Sequence, residues 1–217
     1  FDGALLYAII SVDAEFLYRY LDCLIANQGD YFRMDDDYDI ARLLRIWDTE
    51  QYMDLADGVF DYCYSKRGEA IHWLYCSPVN MMLHHKASHQ EITVKQDLWI
   101  KHTIEKYSYD GERMYQLFSA IEELPCERRK KAVEKFLSLN ADPDIFERLP
   151  LEPSHWGGNG SMIPDMQERI EYLRSLLPLV SGIKYLKQKQ RIEREIGCWK
   201  ERIHSEEVRE LLESWYC

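Results

Sequence analysis

Apolar residues recur at helical spacing along most of this chain, with polar residues at the positions between them. Four long stretches, 13–26, 50–64, 92–107 and 127–139, each form one apolar stripe. Four shorter stretches with the same spacing lie at 40–47, 71–85, 114–122 and 144–149. Nowhere do apolar and polar residues alternate singly between hairpin turns. The pattern therefore predicts an all-α protein.

The long stretches also recur at a regular distance. Their starts lie roughly 35–42 residues apart, which is typical of HEAT-like repeats built from two helices. We therefore predict that residues 1–149 form an α-solenoid, a HEAT/TPR-like stack of antiparallel helix pairs.

The pattern changes after residue 149. Residues 150–163 are rich in proline and glycine and include Trp156, so they predict a long loop. Three more amphipathic stretches follow, at 164–177, 183–203 and 205–215, and Pro178 must end or kink the first of them. We predict that residues 164–217 form a C-terminal helical cap on the array.

Composition and charge narrow the class of protein. The net charge of −11 disfavours nucleic acid as a partner, although the stretch 184–202 is locally basic. The six cysteines are far apart and include no CxxC pair, which favours reduced thiols and a cytoplasmic location. No membrane span or signal peptide is visible. Because the chain starts at Phe1 on an apolar helical pattern, we expect it to be a piece of a longer protein.

Known catalytic and nucleotide-binding motifs are missing, so we predict no catalytic residue, cofactor or metal. His85 and His89 have a spacing used for zinc on a helix, but the neighbouring residues do not complete a ligand set. The glycine-rich residues 157–160 precede a helix without the lysine and serine or threonine of a phosphate loop. An unrecognised enzyme site in the region 72–89 remains a third interpretation.

The favoured function is a non-enzymatic scaffold that binds a protein partner or other domains of its parent chain. Candidate contact residues are His155 and Trp156 in the loop, and Lys184, Lys187 and Arg191 on a basic helix. Trp156 either contacts a partner or folds back to plug the helices, and we favour the plug. The alternative function is a nucleic-acid-binding array that uses the basic helix 184–202.

Parts of the second half resemble a known family. The segments 135–140, 149–156, 169–178 and 182–187 resemble the helical C-terminal region of very large bacterial STAND-type P-loop ATPases, over roughly residues 98–216. The resemblance implies that an ATPase domain lies far upstream and that this helical region senses or binds a partner. No nucleotide-binding residue of that family has a counterpart in this chain.

Overall fold

A computed structural model describes residues 15–16, 19, 48–65, 90–122, 124–139, 142–152 and 161–216. These residues contain seven α-helices and no strand, so the all-α prediction is confirmed for them. The helices are α1 (Thr49–Ser65), α2 (Gln90–Tyr107), α3 (Gly111–Ala120), α4 (Cys126–Ser138), α5 (Pro143–Arg148), α6 (Ile163–Leu176) and α7 (Leu186–Tyr216). Two 3₁₀ turns, Leu177–Val180 and Ile183–Tyr185, join α6 to α7. The helices predicted at 13–26, 40–47 and 71–85 lie wholly or largely outside the described residues.

Aspartates start several of these helices. The Asp48 carboxylate accepts a hydrogen bond from the backbone N–H of Gln51 at 2.9 Å, and the Gln51 side chain accepts one from the Asp48 N–H at 3.1 Å. This reciprocal pair satisfies two N–H groups that a helix start leaves without partners. Asp110 and Asp142 cap α3 and α5 in the same general way. Pro125 occupies the N-cap position of α4.

The chain divides into two compact units. The first comprises Phe1–Lys106 with Ser119–Glu123, and the second comprises Tyr107–Phe118 with Leu124–Cys217. The second unit therefore combines helices before and after residue 149 in one core. The predicted division into an array 1–149, a loop 150–163 and a cap 164–217 stays a prediction.

Trp99 on α2 anchors the described part of the first unit. Its ring is fully buried and meets Phe60 of α1 edge-on, with ring centroids 5.7 Å apart. Its indole N–H donates to Asp57 at 2.9 Å. Lys106 contacts the second oxygen of Asp57 at 3.1 Å, and His102 lies 3.5 Å from that oxygen. One carboxylate on α1 therefore satisfies a buried indole and meets two cationic or polar side chains of α2.

A chain of aromatic rings runs through the second unit. Phe136 on α4 lies between Phe118 and Phe146, at centroid distances of 6.0 and 6.2 Å, and Phe146 in turn meets Tyr185 at 6.4 Å. These rings come from α3, α4, α5 and the 3₁₀ turn before α7. The aromatic chain therefore sets the position at which α7 enters the unit.

Arg129 on α4 is 5% exposed and links α4 to α6. Its guanidinium lies 4.4 Å from the centre of the Tyr172 ring, and it donates to the Leu151 carbonyl at 3.3 Å and to the Cys126 sulfur at 3.0 Å. Burial raises the pKa of the Cys126 thiol and of the Tyr172 hydroxyl above their ordinary values. Both groups are therefore neutral at physiological pH, and Arg129 is held by ring and dipole contacts.

One predicted break in the second unit is wrong. The sequence pattern separates a helix at 183–203 from another at 205–215, with Ser205 as the start of the second, whereas α7 is continuous over Leu186–Tyr216. The Ser205 hydroxyl donates to the Glu201 carbonyl at 3.0 Å, one turn earlier in the same helix. A serine whose hydroxyl bonds in this way can occupy a helix interior, and no glycine or proline stands nearby to end the helix.

Candidate interaction surface on the C-terminal helix

The first half of α7 packs along α6 through one buried stripe. Its members share low exposure and helical spacing: Gln188, Ile192, Ile196 and Trp199, following Tyr185. Pro178 ends α6 as predicted, since α6 stops at Leu176 and a 3₁₀ turn takes over. Two 3₁₀ turns then lead into α7, and Arg169 of α6 lies against the ring of Trp199 on α7.

Trp199 fixes the far end of this stripe. The guanidinium carbons of Arg169 and Arg202 lie 5.0 and 4.6 Å from its ring centroid, within cation–π range. The indole N–H donates to the Glu152 carboxylate, which belongs to the segment between α5 and α6. The ring, its N–H and the surrounding charges all have partners within the unit, so this cluster stabilises the fold.

Glu152 also borders a small cavity of about 140 Å³, together with Pro150, Leu151, Leu173, Arg191, Ile192 and Glu195. Burial raises the pKa of the Glu152 carboxyl, while the Trp199 N–H and two arginines oppose the shift and Glu195 adds to it. Ligand pockets usually measure about 300–1,000 Å³. The cavity is thus suited to a few water molecules next to a carboxyl group.

Polar side chains of α7 also hold α5. Gln188 donates to the Pro143 carbonyl at 2.7 Å. Arg191 donates to the carbonyl of Glu147 and, at 3.3 Å, to that of Leu149, at the C-terminal end of α5. A cation there satisfies carbonyl groups that the helix end leaves without partners. Arg191, a predicted contact residue, therefore already has intramolecular partners.

Of the other predicted contact residues, Lys184 lies exposed in the 3₁₀ turn before α7, and Lys187 lies exposed in the first turn of α7. The Lys184 ammonium lies 4.7 Å from the centre of the Tyr185 ring. His155 and Trp156 lie outside the described residues. The role of all five residues as contact residues stays a prediction.

The last turns of α7 expose an apolar stripe that the sequence analysis did not single out. Val208, Leu211 and Leu212 are 43%, 57% and 54% exposed. Their spacing of three and four residues places them on one helix face. No side chain between residues 200 and 212 is buried.

This stripe faces away from the side of α7 that packs on α6. The buried positions of the first half continue, at helical spacing, to the half-buried Ile203, Glu206 and Glu210. Val208 and Leu212 lie on the opposite side of the helix from Glu210. In the sequence, this stripe is visible as a shift of the apolar positions to a different side of the helix. Such a shift is compatible with a helix break at residue 204 as well as with a continuous helix.

Other sites find no support in the described residues. They contain no group of three or more histidine, cysteine or acidic side chains placed to hold a metal ion. The predicted cluster at 72–89, with His85 and His89, and the glycine-rich residues 157–160 lie outside them. No helix among the described residues is long and apolar enough to cross a membrane.

Comparison with known proteins adds no relative. No protein-family model matches the chain, and neither the curated proteins nor the solved structures give a match. The candidate surface therefore rests on the geometry of the second unit alone.

Proposed function

We propose that this chain is a non-enzymatic helical protein-interaction module. Its contact surface is the side of α7 that faces away from α6, which we call the outward face of α7. The observation that carries this proposal is the exposed stripe of Val208, Leu211 and Leu212. Single exposed leucines are common on protein surfaces, but three apolar residues at helical spacing form a contiguous patch. An amphipathic helix of this kind binds by laying its apolar face in a groove or against another helix.

The proposal also covers the larger protein to which this module belongs. The module belongs to a larger cytoplasmic protein whose helix pairs stack as a HEAT/TPR-like α-solenoid. Residues 98–216 of the chain resemble the helical C-terminal region of STAND-type ATPases. The regular spacing of the long helical patterns and the all-helical fold of the described residues support this interpretation. The partner is another protein or another domain of the same parent chain.

Quantitative co-purification tests the proposal. A tagged wild-type chain and a triple serine variant, Val208→Ser with Leu211→Ser and Leu212→Ser, are recovered from cells of the source organism. The proteins bound to each are then compared by mass spectrometry. We expect the variant to lose most of the specifically bound protein, because apolar area drives the contact.

A matched control places three serines on a different exposed surface of the same unit. It combines Gln167→Ser, Glu171→Ser and Arg174→Ser, all on the exposed side of α6. We expect this control to recover the same proteins as the wild type. Equal recovery with the triple serine variant, the control and the wild type would overturn the proposal.

Nucleic-acid binding is the second candidate function. The exposed Lys184, Lys187 and Arg194 favour it. Against it, Arg191 is bound to backbone carbonyls, and Lys189 lies 3.8 Å from Glu193. Fluorescence anisotropy with labelled DNA and RNA oligonucleotides at low salt decides between the two functions. Binding that weakens steeply with added salt would favour the nucleic-acid function.

A further inference from the structure

The outward face of α7 extends beyond the stripe at its C-terminal end. At the N-terminal end, Leu186 is 55% exposed, and Ile183 in the preceding 3₁₀ turn is 95% exposed. Leu186 and Val208 are about six helical turns, or about 33 Å, apart, so they point in nearly the same direction. One face of α7 therefore carries an exposed apolar group near each end.

Gly197 lies midway between these two apolar ends and on the same face. A Cβ added at Gly197 would meet no atom within 4 Å, so packing inside the chain does not require glycine there. Glycine in a helix interior is unfavourable relative to alanine. The usual structural benefit of such a glycine is that another backbone can approach closely. At Gly197 this approach is open to a molecule outside this chain.

Charges around Gly197 are complementary between neighbouring side chains of an antiparallel pair of α7 helices. Glu193 and Arg194 precede the glycine, Lys200 and Glu201 follow it, and all four side chains are exposed. In an antiparallel pair of α7 helices that cross at Gly197, Glu193 of one copy lies beside Lys200 of the other. Arg194 likewise lies beside Glu201. A twofold axis forms each of these contacts twice.

The same alignment brings the two apolar ends together. Val208 and Leu211 of one copy come level with Leu186 and Ile183 of the other, again twice. Pairing the C-terminal stripes directly with each other would instead bring Glu206, Glu207 and Glu210 of both copies together, which like charge disfavours. Charge thus favours an antiparallel pair aligned along the whole length of α7, and disfavours a pair formed by the two C-terminal stripes alone.

We infer that the occupant of the outward face of α7 is a second copy of this chain, bound antiparallel with the twofold axis near Gly197. This inference rests on the proposed interaction surface and names its partner. The two Gly197 positions meet where the helices approach most closely. The apolar ends supply the attraction, and the charges beside Gly197 set the register.

Sedimentation velocity over a wide range of protein concentration tests the inference by a charge exchange. Arg194→Glu alone places like charges opposite Glu201 twice, and Glu201→Arg alone does the same opposite Arg194. We expect each single variant to weaken dimerisation by at least about tenfold. The double variant Arg194→Glu/Glu201→Arg restores the opposite charges and is expected to dimerise like the wild type. Both positions are exposed, and circular dichroism verifies the fold of each variant.

A second variant tests the close approach independently of charge. Gly197→Gln adds a side chain in open space, so we expect an intact monomer that no longer dimerises. Glu171→Gln, on the exposed side of α6, is the matched control and is expected to dimerise normally. A monomeric wild type at all concentrations would overturn this inference. So would a dimer that neither the single charge variants nor Gly197→Gln weakens.

Sedimentation velocity and the co-purification experiment together distinguish this inference from the proposed function. If the wild type is monomeric and the triple serine variant still loses its partner from cells, the contact surface stands and the second copy is the wrong occupant. If the wild type dimerises as described and the triple serine variant does not, both stand.

Discussion

The two halves of α7 belong to one uninterrupted helix but differ in what covers their apolar residues. In the first half, Ile192, Ile196 and Trp199 are almost fully buried. In the second half, Glu206 and Glu210 continue the inner side, and Val208 and Leu212 face solvent. The comparison shows that the phase of an apolar stripe indicates where a helix is packed, and that a change of phase does not require the helix to end.

The two halves of α7 also differ in the contacts that they make. The first half makes its contacts inside the unit, through Gln188 and Arg191 to α5 and through Trp199 to Glu152. The second half buries no side chain up to residue 212 and presents its apolar side outward. We therefore expect mutations of the packed side chains in the first half to change stability, and mutations of the exposed stripe in the second half to change association.

The largest expected effect separates Trp199 from Leu211. Trp199→Ala removes a ring that is 6% exposed, and we expect it to lower the free energy of unfolding by about 3–5 kcal/mol. Leu211→Ala, at a position 57% exposed, should change it by less than about 0.5 kcal/mol. Urea denaturation monitored by far-UV circular dichroism at low protein concentration measures both. Equal losses for the two variants would contradict the division.

A smaller effect is expected at Arg191, a polar anchor of the first half. Arg191→Ala leaves the Glu147 and Leu149 carbonyls without that partner, and we expect a loss of about 1–3 kcal/mol. Lys187→Ala, one turn earlier and exposed, is the control and should change stability by less than about 0.5 kcal/mol. The same denaturation measurement applies. If the Arg191 variant were as stable as the control, Arg191 would be free to contact a partner as the sequence analysis predicts.

The smallest effect is a pH dependence at Glu152. Because burial raises the pKa of this carboxyl in the folded state, the folded chain binds its proton more tightly than the unfolded chain. The stabilisation from that proton is complete below the ordinary carboxyl pKa and is lost as pH rises through the raised value. We therefore expect the stability of the wild type relative to Glu152→Gln to fall from acidic to neutral pH. A difference independent of pH would show that the Glu152 carboxyl titrates normally.

Local sequence signals predicted the helical class and several helix boundaries. Asp142 with Pro143, Asp110 with Gly111, and Pro178 each mark a helix boundary that the structure contains within a few residues. These signals work because capping hydrogen bonds and the missing proline N–H act on neighbouring residues.

Contacts between distant residues could not be predicted in this way. Trp199 bonds Glu152 from 47 positions away, and nothing near Arg129 in the sequence marks it as a buried arginine. The candidate surface was missed for a related reason. An apolar residue is apolar whether it faces a core or a partner, so only the burial of Ile196 and the exposure of Leu212 distinguish the two halves of α7.

Hydrogen–deuterium exchange along α7 tests the division most directly, because one experiment measures both halves of the helix. In dilute protein, we expect amides near residues 190–199 to exchange slowly, because only unfolding of the packed unit exposes them. Amides near residues 206–212 should exchange much faster, because local unfolding there breaks few buried contacts. At high protein concentration, an interaction surface formed by the second half predicts slower exchange in that half. Uniform slow exchange along the whole of α7 in dilute protein would contradict the account.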